Sequence, residues 1–589
     1  MKVLLATLNS KYVHTNLALK YLEVCLKKHA QRCEIVQKEY TINDNLLSIL
    51  ASVYEIKAEV YAFSSYIWNI EQTLQICENI KKLKPEAVII LGGPEVSYDP
   101  QEVMEKNTFI DFIISGEGEE ALPKLINMLS NNLDNYSAIK GLTYRNQNGN
   151  ITLTQGFCII DDLSIIPSPF EGDLSCYRQK VTYFESSRGC PYNCSYCLSS
   201  TIKGVRYFPI ERVKNELLKL IEAEAKQVKF VDRTFNCSKE RAMEIWHFIV
   251  ENNKNTVFHF EISAHLLDDE MIDFLTSVTE GIFEFEIGIQ STNSNTINAV
   301  GRKTDFIKIS DAVKRIRKRN NIHLHLDLIA GLPFEEYKSF ANSFDDTYLL
   351  KPHMLQLGFL KLLRGSRIRK ERQEHDYKFA KSPPYEVLEN KYISFNEITK
   401  LKRIEEILEI YKNSGRYENS LDYLEKIYTS PFKLFEGISE YKKNRSSEYI
   451  KISQEENYDI LFEFYENTIK TDIELFREIL KLDFILNNFG AKKRNWQREY
   501  IFINMKATIR NILNNQEFLT KYCPQLEHLE MADRIKKVHF EIFKTSFNAN
   551  NNHLSLIIIE RKTNSRGLIK TGYKIVEEKF YNNEKIIEK

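Results

Sequence analysis

The sequence predicts an α/β protein in three parts: an N-terminal doubly wound parallel sheet at residues 1–135, a partial (β/α)6 barrel at residues 179–375, and a mostly helical region at residues 376–589. Three observations lead to this fold class. The chain has 589 residues, too many for one hydrophobic core. Strand-like runs alternate with helix-like runs in two blocks. From residue 376 onward, apolar residues recur mainly at helical spacing.

The first block has five strand-like runs, each followed by a helical run: KVLLAT, EIVQKEY, VYAFSSY, AVIILGG and FIISG. Ligands of parallel sheets lie beyond the carboxyl ends of the strands. Glycines at these ends allow a ligand to approach the backbone closely. We therefore predict ligand contacts from seven residues at strand ends: Ser10, Ser64, Ser65, Gly92, Gly93, Gly116 and Glu117. Residues 136–178 are expected to form a hairpin, signalled by NQNGN, and a proline-containing linker.

Three cysteines follow the first strand of the second block, VTYFESSRG. Cys190, Cys194 and Cys197 have the spacing CxxxCxxC in the run SSRGCPYNCSYCLSS. Three thiolates are one too few for a tetrahedral zinc site or an ordinary four-cysteine cluster. On a four-iron cluster they would leave one iron open to bind a substrate. A zinc site is disfavoured because the loop has no fourth Cys or His at close spacing.

Five more strands with intervening helices complete the second block, and each ends in polar residues, where the chemistry of β/α barrels lies. Glu261, Gln290 and Arg302 are at or just beyond such ends. Three histidines, His259, His323 and His325, alternate with apolar residues on strands, and the last two share a strand face with Asp327. We expect these histidines either to be packed and hydrogen-bonded or to belong to a site that binds a metal or transfers a proton.

The cysteine spacing, with Tyr196 just before the last cysteine, resembles that of the radical S-adenosylmethionine (SAM) enzymes. The segments LNSKYVHTNLALKYL, ILGGPEVSYDP and DFIISGEGEEAL resemble the cobalamin-binding domain of one radical SAM class, and FVDRTFN, IGIQS and AGLP resemble segments of its barrel. The resemblance implies that the three cysteines bind a [4Fe-4S] cluster, that Tyr196 backs the adenine of SAM, and that the seven strand-end residues contact cobalamin. It makes Glu261, Gln290 and Arg302 candidates for the SAM ribose and carboxylate, where an arginine suits a carboxylate.

One cobalamin motif is missing. Domains that supply a histidine to cobalt carry D-x-H-x-x-G, and the surroundings of His14, SKYVHTN, lack its aspartate and glycine. The resemblance then implies cobalamin without a histidine ligand from the protein, or a degenerate domain that binds nothing. Residues 376–589 resemble a C-terminal extension of unassigned function in one family of these proteins.

The expected function is cleavage of SAM by the cluster, coupled to cobalamin-dependent methyl transfer to an unactivated carbon or phosphorus. The alternatives are a radical rearrangement or other non-methylating reaction, and an accessory protein with a degenerate cobalamin domain. The substrate is an unidentified small molecule or macromolecule, and the expected electron donor is a flavodoxin or ferredoxin. A formal net charge of zero gives no reason to expect a nucleic acid or membrane partner. No signal sequence or membrane span is recognisable, and the ten cysteines fit a reducing cytoplasm.

Overall fold

The computed structural model describes residues 1–30, 33–146, 148–445, 452–488, 491–544, 555–563, 569–581 and 585–588. It divides the chain into two compact units, Met1–Thr399 and Lys400–Lys589. In the described ranges, no helix is long and apolar enough to cross a lipid bilayer.

The first unit begins with a seven-stranded sheet. Its strands are β1 (Lys2–Asn9), β2 (Glu34–Thr41), β3 (Val60–Ser64), β4 (Val88–Gly92), β5 (Phe112–Ile114), β6 (Leu142–Arg145) and β7 (Ile151–Leu153). Their order is β2-β1-β3-β4-β5-β6-β7, and the first five are parallel. The helices are α1 (Leu17–His29), α2 (Leu46–Glu55), α3 (Ile70–Leu83), α4 (Pro94–Ser97), α5 (Pro100–Lys106) and α6 (Gly118–Ser130). Separate apolar cores cover the two faces of the sheet, as in a doubly wound fold.

The hairpin expected in the linker forms as β6 and β7, and it extends the first sheet. β6 pairs antiparallel with β5 and β7 pairs antiparallel with β6. The sheet therefore mixes five parallel strands with an antiparallel edge, which the alternation of strands and helices did not predict.

A second sheet of six parallel strands follows. Its strands are β8 (Val181–Phe184), β11 (Gln227–Phe230), β12 (Val257–Ile262), β13 (Phe283–Gln290), β14 (His323–Ala330) and β15 (Met354–Phe359), in that spatial order. A two-stranded antiparallel sheet, β9 (Ser187–Cys190) with β10 (Gly204–Tyr207), lies between β8 and β11 in the chain. The connecting helices are α7 (Ile210–Glu222), α8 (Lys239–Asn252), α9 (Asp269–Ser277), α10 (Ser294–Ala299), α11 (Phe306–Arg319), α12 (Tyr337–Tyr348) and α13 (Arg367–Lys370).

The two faces of this sheet differ in polarity. Along β13, the apolar residues Phe283, Phe285, Ile287 and Ile289 are buried and alternate with partly buried polar or small residues. The apolar face packs against the helices through an aromatic core that includes Trp246 and Phe260. The opposite face carries the charged residues of the strands.

The strand VTYFESSRG was expected to run unbroken into the cysteine loop, and this prediction is wrong. The strand stops at Phe184, and β9 starts at Ser187 with a new partner, β10. Gly189, inside β9, allows the close pairing with β10. Its φ is +99°, and a Cβ there would lie 2.1 Å from the carbonyl oxygen of Gly204 on β10.

Residues 376–399 stay with the first unit, although the predicted boundary was residue 375. The short strands β16 (Lys378–Phe379) and β17 (Val387–Glu389) form a hairpin. Backbone bonds tie it to the end of the barrel, from Val387 N to Leu360 O at 2.9 Å and from Leu362 N to Tyr385 O at 2.9 Å.

The second unit is mainly helical at its start. Its helices are α14 (Phe395–Leu408, which begins in the first unit), α15 (Glu418–Ile427), α16 (Pro431–Arg445), α17 (Gln454–Phe464), α18 (Ile473–Asn487), α19 (Met505–Asn514), α20 (Gln516–Tyr522) and α21 (Met531–Lys537). The strands β18 (Tyr500–Phe502) and β22 (Ile586–Glu588) pair antiparallel, and β19 (Val538–Phe543), β20 (Ser555–Thr563) and β21 (Ile569–Ile575) form a second antiparallel sheet.

Candidate functional site

The cysteine loop begins at the end of β9 and is held in place by a buried carboxylate. Asp232, just beyond β11, accepts hydrogen bonds from Ser186 N (2.9 Å), Ser186 Oγ (2.6 Å) and Ser187 Oγ (2.6 Å). Burial raises the pKa of Asp232, and the bonds from Ser186 and Ser187 oppose that rise. The sequence placed Asp232 at a strand end without predicting this role, because its partners lie about 45 residues earlier.

Arg302 lies against the middle of the loop. Its Nη1 is 3.3 Å from the hydroxyl of Tyr196 and 3.8 Å from Sγ of Cys194, and its Nη2 donates to the carbonyl of Gly288 at 2.6 Å. Cys194 is 5% exposed. Burial raises the pKa of its thiol, and the charge of Arg302 opposes that rise. The structure thus brings two predicted SAM residues, Tyr196 and Arg302, to one cysteine.

Gln290 belongs to the same group. A Cβ on Gly288 would lie 2.2 Å from Nε2 of Gln290 and 3.3 Å from Nη2 of Arg302, so a side chain there would displace the Gln290 amide. Gln290 has a left-handed backbone with φ +72°, which is uncommon for a side chain of its size. Its Oε1 is buried without a hydrogen-bond partner in the described part of the chain. A strained residue with an unused acceptor is typical of a ligand site.

Glu261 lies in a different environment from these three residues. It lines a cavity of about 430 Å³ between the first sheet and the barrel, and its nearest base is Arg233, with Nη1 3.8 Å from Oε1. Burial raises the pKa of Glu261, and Arg233 opposes that rise. Ser10, one of the seven predicted contacts in the first block, lines the same cavity.

A second cavity of about 270 Å³ lies at the carboxyl ends of the first sheet. Five of the seven predicted contacts line it: Ser64, Gly92, Gly93, Gly116 and Glu117. Most other lining residues are apolar, such as Leu5, Leu19 and Ile90. Gly93 has φ +103°, and a Cβ there would lie 2.6 Å from the carbonyl oxygen of Ser65. Ser65 itself is fully buried and does not line the cavity.

The carboxylate of Glu117 already accepts hydrogen bonds from other residues of the protein. It accepts bonds from Arg206 at 2.6 and 2.9 Å and from Ile160 N at 2.7 Å. Burial would raise its pKa, but Arg206 and the other donors lower it. Nearby, Arg188 on β9 pairs with Glu119 of α6 and with Glu185, and burial raises the pKa of Glu185 to about 7 despite this pairing. These arginines join the first sheet to the barrel.

The two cavities adjoin, because Ala18, Tyr66, Glu119 and Arg188 line both. His14 lies in the larger cavity, where its Nδ1 is 2.8 Å from the hydroxyl of Tyr183 and the rings stack. This residue was not expected to bind cobalt.

The charged face of the barrel forms an ion network. Glu286 lies 3.0 Å from Nε2 of His259 and 3.1 Å from Nζ of Lys229. Nε2 of His325 lies 3.0 Å from Oδ1 of Asp327. Within the described residues, no three His, Cys, Asp or Glu side chains, the three loop cysteines included, are grouped so as to hold a single metal ion. His259 is a packed, hydrogen-bonded histidine, whereas His325 lies close to Asp327 without forming a hydrogen bond to it.

Three family models match the chain: the B12 binding domain at residues 3–126, the radical SAM superfamily at residues 184–347, and "Protein of unknown function (DUF4080)" at residues 373–559. The cobalamin-dependent radical SAM methyltransferase TokK of Streptomyces tokunonensis is 25% identical over 341 residues, which cover 54% of this chain and 49% of TokK. The chain spans about half the length of the curated relatives it matches.

Two solved structures share the fold over most of the chain. TsrM of Kitasatospora setae, a radical SAM methyltransferase with cobalamin and a [4Fe-4S] cluster bound, has a TM-score of 0.54 and 18% identity, covering 65% of this chain and 78% of TsrM. OxsB, a cobalamin-dependent SAM radical enzyme with aqua-cobalamin and SAM bound, has a TM-score of 0.56 and 14% identity, covering 83% of this chain and 84% of OxsB.

The chain therefore combines a B12-binding domain with a radical SAM domain, which confirms the predicted fold class and the resemblance. Within that class it is homologous to cobalamin-dependent radical SAM methyltransferases such as TokK. The individual SAM and cobalamin contacts stay predictions.

Proposed function

We propose that this protein is a radical SAM enzyme that transfers a methyl group to an unactivated carbon or phosphorus with the help of cobalamin. The observation that carries the proposal is the placement of two sites in one compact unit. The three-cysteine loop lies at the barrel mouth, and a glycine-lined cavity of the first sheet adjoins the cavity at that mouth.

The residues present fit the implied groups. All three cysteines are free thiols, and Cys194 has a guanidinium beside it that would offset the negative charge of a thiolate-bound cluster. The smaller cavity is lined mainly by carbon and by glycine backbone, which suits an apolar part of a bulky, largely uncharged cofactor. When bound, the cluster would supply the electron that cleaves SAM, and cobalamin would supply the methyl group. The protein would position these groups relative to one another. The carbonyl of Gly288 fixes the guanidinium of Arg302 by accepting its hydrogen bond.

The test is anaerobic reconstitution of wild type and of Cys194→Ala. Wild type is expected to bind about four irons per chain and to form 5′-deoxyadenosine from SAM, and Cys194→Ala should form none. Cys237→Ala is the matched control, because Cys237 contacts the hydroxyl of Tyr207 at 3.3 Å and is not needed as a ligand. Stoichiometric zinc, or deoxyadenosine from Cys194→Ala, would contradict the assignment.

The same preparation separates the alternatives. A corrinoid that co-purifies supports a working cobalamin domain, whereas a chain that never binds one supports the degenerate accessory protein. Deuterium from methyl-labelled SAM appears in the product of a methyltransferase but not in that of a rearrangement.

Two further parts of the proposal concern the cell. The electron would come from a flavodoxin or ferredoxin, and the protein would work in the cytoplasm. The structure joins none of the ten cysteines in a disulfide, as expected in a reducing compartment. Reduction of the cluster by each purified donor, followed by absorbance, tests the first point.

A further inference from the structure

Arg233 is an arginine at the barrel mouth whose hydrogen-bonding capacity is unused. It lies shortly after β11, lines the larger cavity, and has a side chain that is 54% exposed. Its nearest acid is Glu261, at 3.8 Å, which is beyond hydrogen-bond distance. Among the described residues, no acceptor forms a hydrogen bond with this guanidinium.

The other arginines around the mouth differ in this respect. Each is held by an acceptor of the protein: Arg188 by Glu119, Arg206 by Glu117 at 2.6 Å, and Arg302 by the carbonyl of Gly288 at 2.6 Å. Lys229, a further base in the cavity, donates to Glu286 of the barrel network at 3.1 Å. Among the arginine and lysine side chains that line the cavity, Arg233 is therefore the one whose donors no described acceptor uses.

An arginine has five N–H donors in a rigid fork that matches a carboxylate or phosphate with two parallel bonds. Because 54% of the Arg233 side chain is exposed, water can satisfy these donors in the free protein, and an oxyanion can replace that water. The loose contact with Glu261 leaves the fork open, and Ser10 across the same cavity has a hydroxyl that can add a further donor. The site is built to receive an oxyanion.

We propose that the substrate carries a carboxylate or phosphate group and that Arg233 binds it, which makes Arg233 a specificity-determining residue. This inference rests on the proposed function, because it takes the larger cavity as the place where substrate meets SAM. Two other occupants have acceptors for the same donors, namely the carboxylate of SAM and the amide side chains of a corrinoid. The experiment separates these sources.

The test is labelling of reconstituted wild-type protein with phenylglyoxal, read at each arginine by mass spectrometry. The probes are inorganic phosphate, acetate, SAM and hydroxocobalamin, each added alone. We expect phosphate or acetate at saturation to slow labelling of Arg233 by roughly tenfold, as for a charge-assisted hydrogen bond. Arg178 is the control, since it lies on the surface with an exposed partner, Glu224, at 3.5 Å, and its labelling should not change.

Arg233→Gln gives a second readout. Its dissociation constant for SAM should stay within about twofold of wild type, whereas loss of a charged contact to SAM would weaken it by roughly tenfold or more. The inference is overturned if no anion protects Arg233, if SAM or hydroxocobalamin alone protects it as well as the anions do, or if Arg233→Gln loses SAM affinity. Deoxyadenosine formation by wild type is measured separately, so failure of the proposed function is distinguishable from failure of the anion site.

Discussion

Replacing Glu286 by glutamine should remove a large and pH-dependent part of the barrel's stability. The side chain is 24% exposed and lies within 3.1 Å of both His259 and Lys229. Burial alone would raise the pKa of this carboxyl, but the bond to His259 and the charge of Lys229 lower it from 4.5 to about 2. Glutamine has nearly the same shape and carries no charge.

The magnitude follows from the pKa. Each pKa unit is worth about 1.4 kcal/mol, so the charged form of Glu286 contributes roughly 3 kcal/mol to folding. Because the pKa is lower in the folded state than in the unfolded chain, this contribution is complete above about pH 4.5. It is lost as the pH falls towards about 2. Glu286→Gln should therefore unfold more easily at pH 7 and match wild type near pH 2.

The assay is urea unfolding followed by the fluorescence of Trp246, which lies in the barrel core. Trp68→Phe and Trp496→Phe remove the other two tryptophans, so the signal reports the barrel and not the second unit. Glu280→Gln, at an exposed position, is the matched control. A difference below about 1 kcal/mol at pH 7, or one that stays constant down to pH 3, would refute the reasoning.

Three further changes test the smaller cavity and the cysteine loop. Gly93→Ala should lower the corrinoid bound per chain and the Tm, because its Cβ would lie 2.6 Å from Ser65 O. Gly149→Ala, with φ +78° and nothing within 4 Å, should cost only roughly 1–2 kcal/mol of backbone strain and keep the corrinoid. Arg302→Lys should weaken SAM binding by roughly tenfold in equilibrium dialysis, with iron content unchanged, because an ammonium cannot hold two partners in a fork; unchanged affinity would rule out the contact. Asp232→Asn should lower the free energy of unfolding by roughly 1–3 kcal/mol and reduce the iron retained after reconstitution, because the hydrogen bonds from the loop would no longer be made to a charged group. Full retention of iron would contradict this.

Local sequence patterns predicted the parts of the fold that depend on local order. Alternating strands and helices predicted the parallel strands of both sheets, and cysteine spacing identified the loop. The antiparallel strands β6 and β7 could be recognised as a hairpin, but their pairing with β5 depends on a contact with a strand about 30 residues earlier. The alternation of apolar and polar residues along a strand does not specify which other strand it pairs with.

The site was predictable only in part for the same reason. Tyr196 and Arg302 are 106 residues apart in the chain, so only the resemblance grouped them. Glu117 illustrates a different limit. Its position at a strand end suggested a ligand contact, yet Arg206, 89 residues later, uses its carboxylate. The pairing of a charge is a property of the folded molecule and cannot be read from one segment.

The ion pairs of Arg188 and Arg206 have a consequence for how the active site is reached. Separation of the first sheet from the barrel would leave the buried carboxylates of Glu117 and Glu119 without their arginine partners. Breaking a buried ion pair costs about 3–5 kcal/mol. We therefore expect the first sheet and the barrel to stay in contact throughout the proposed reaction. Access to the larger cavity would then not depend on separating them, and Trp68, which lines this cavity and is 44% exposed, marks a side on which it is open to solvent.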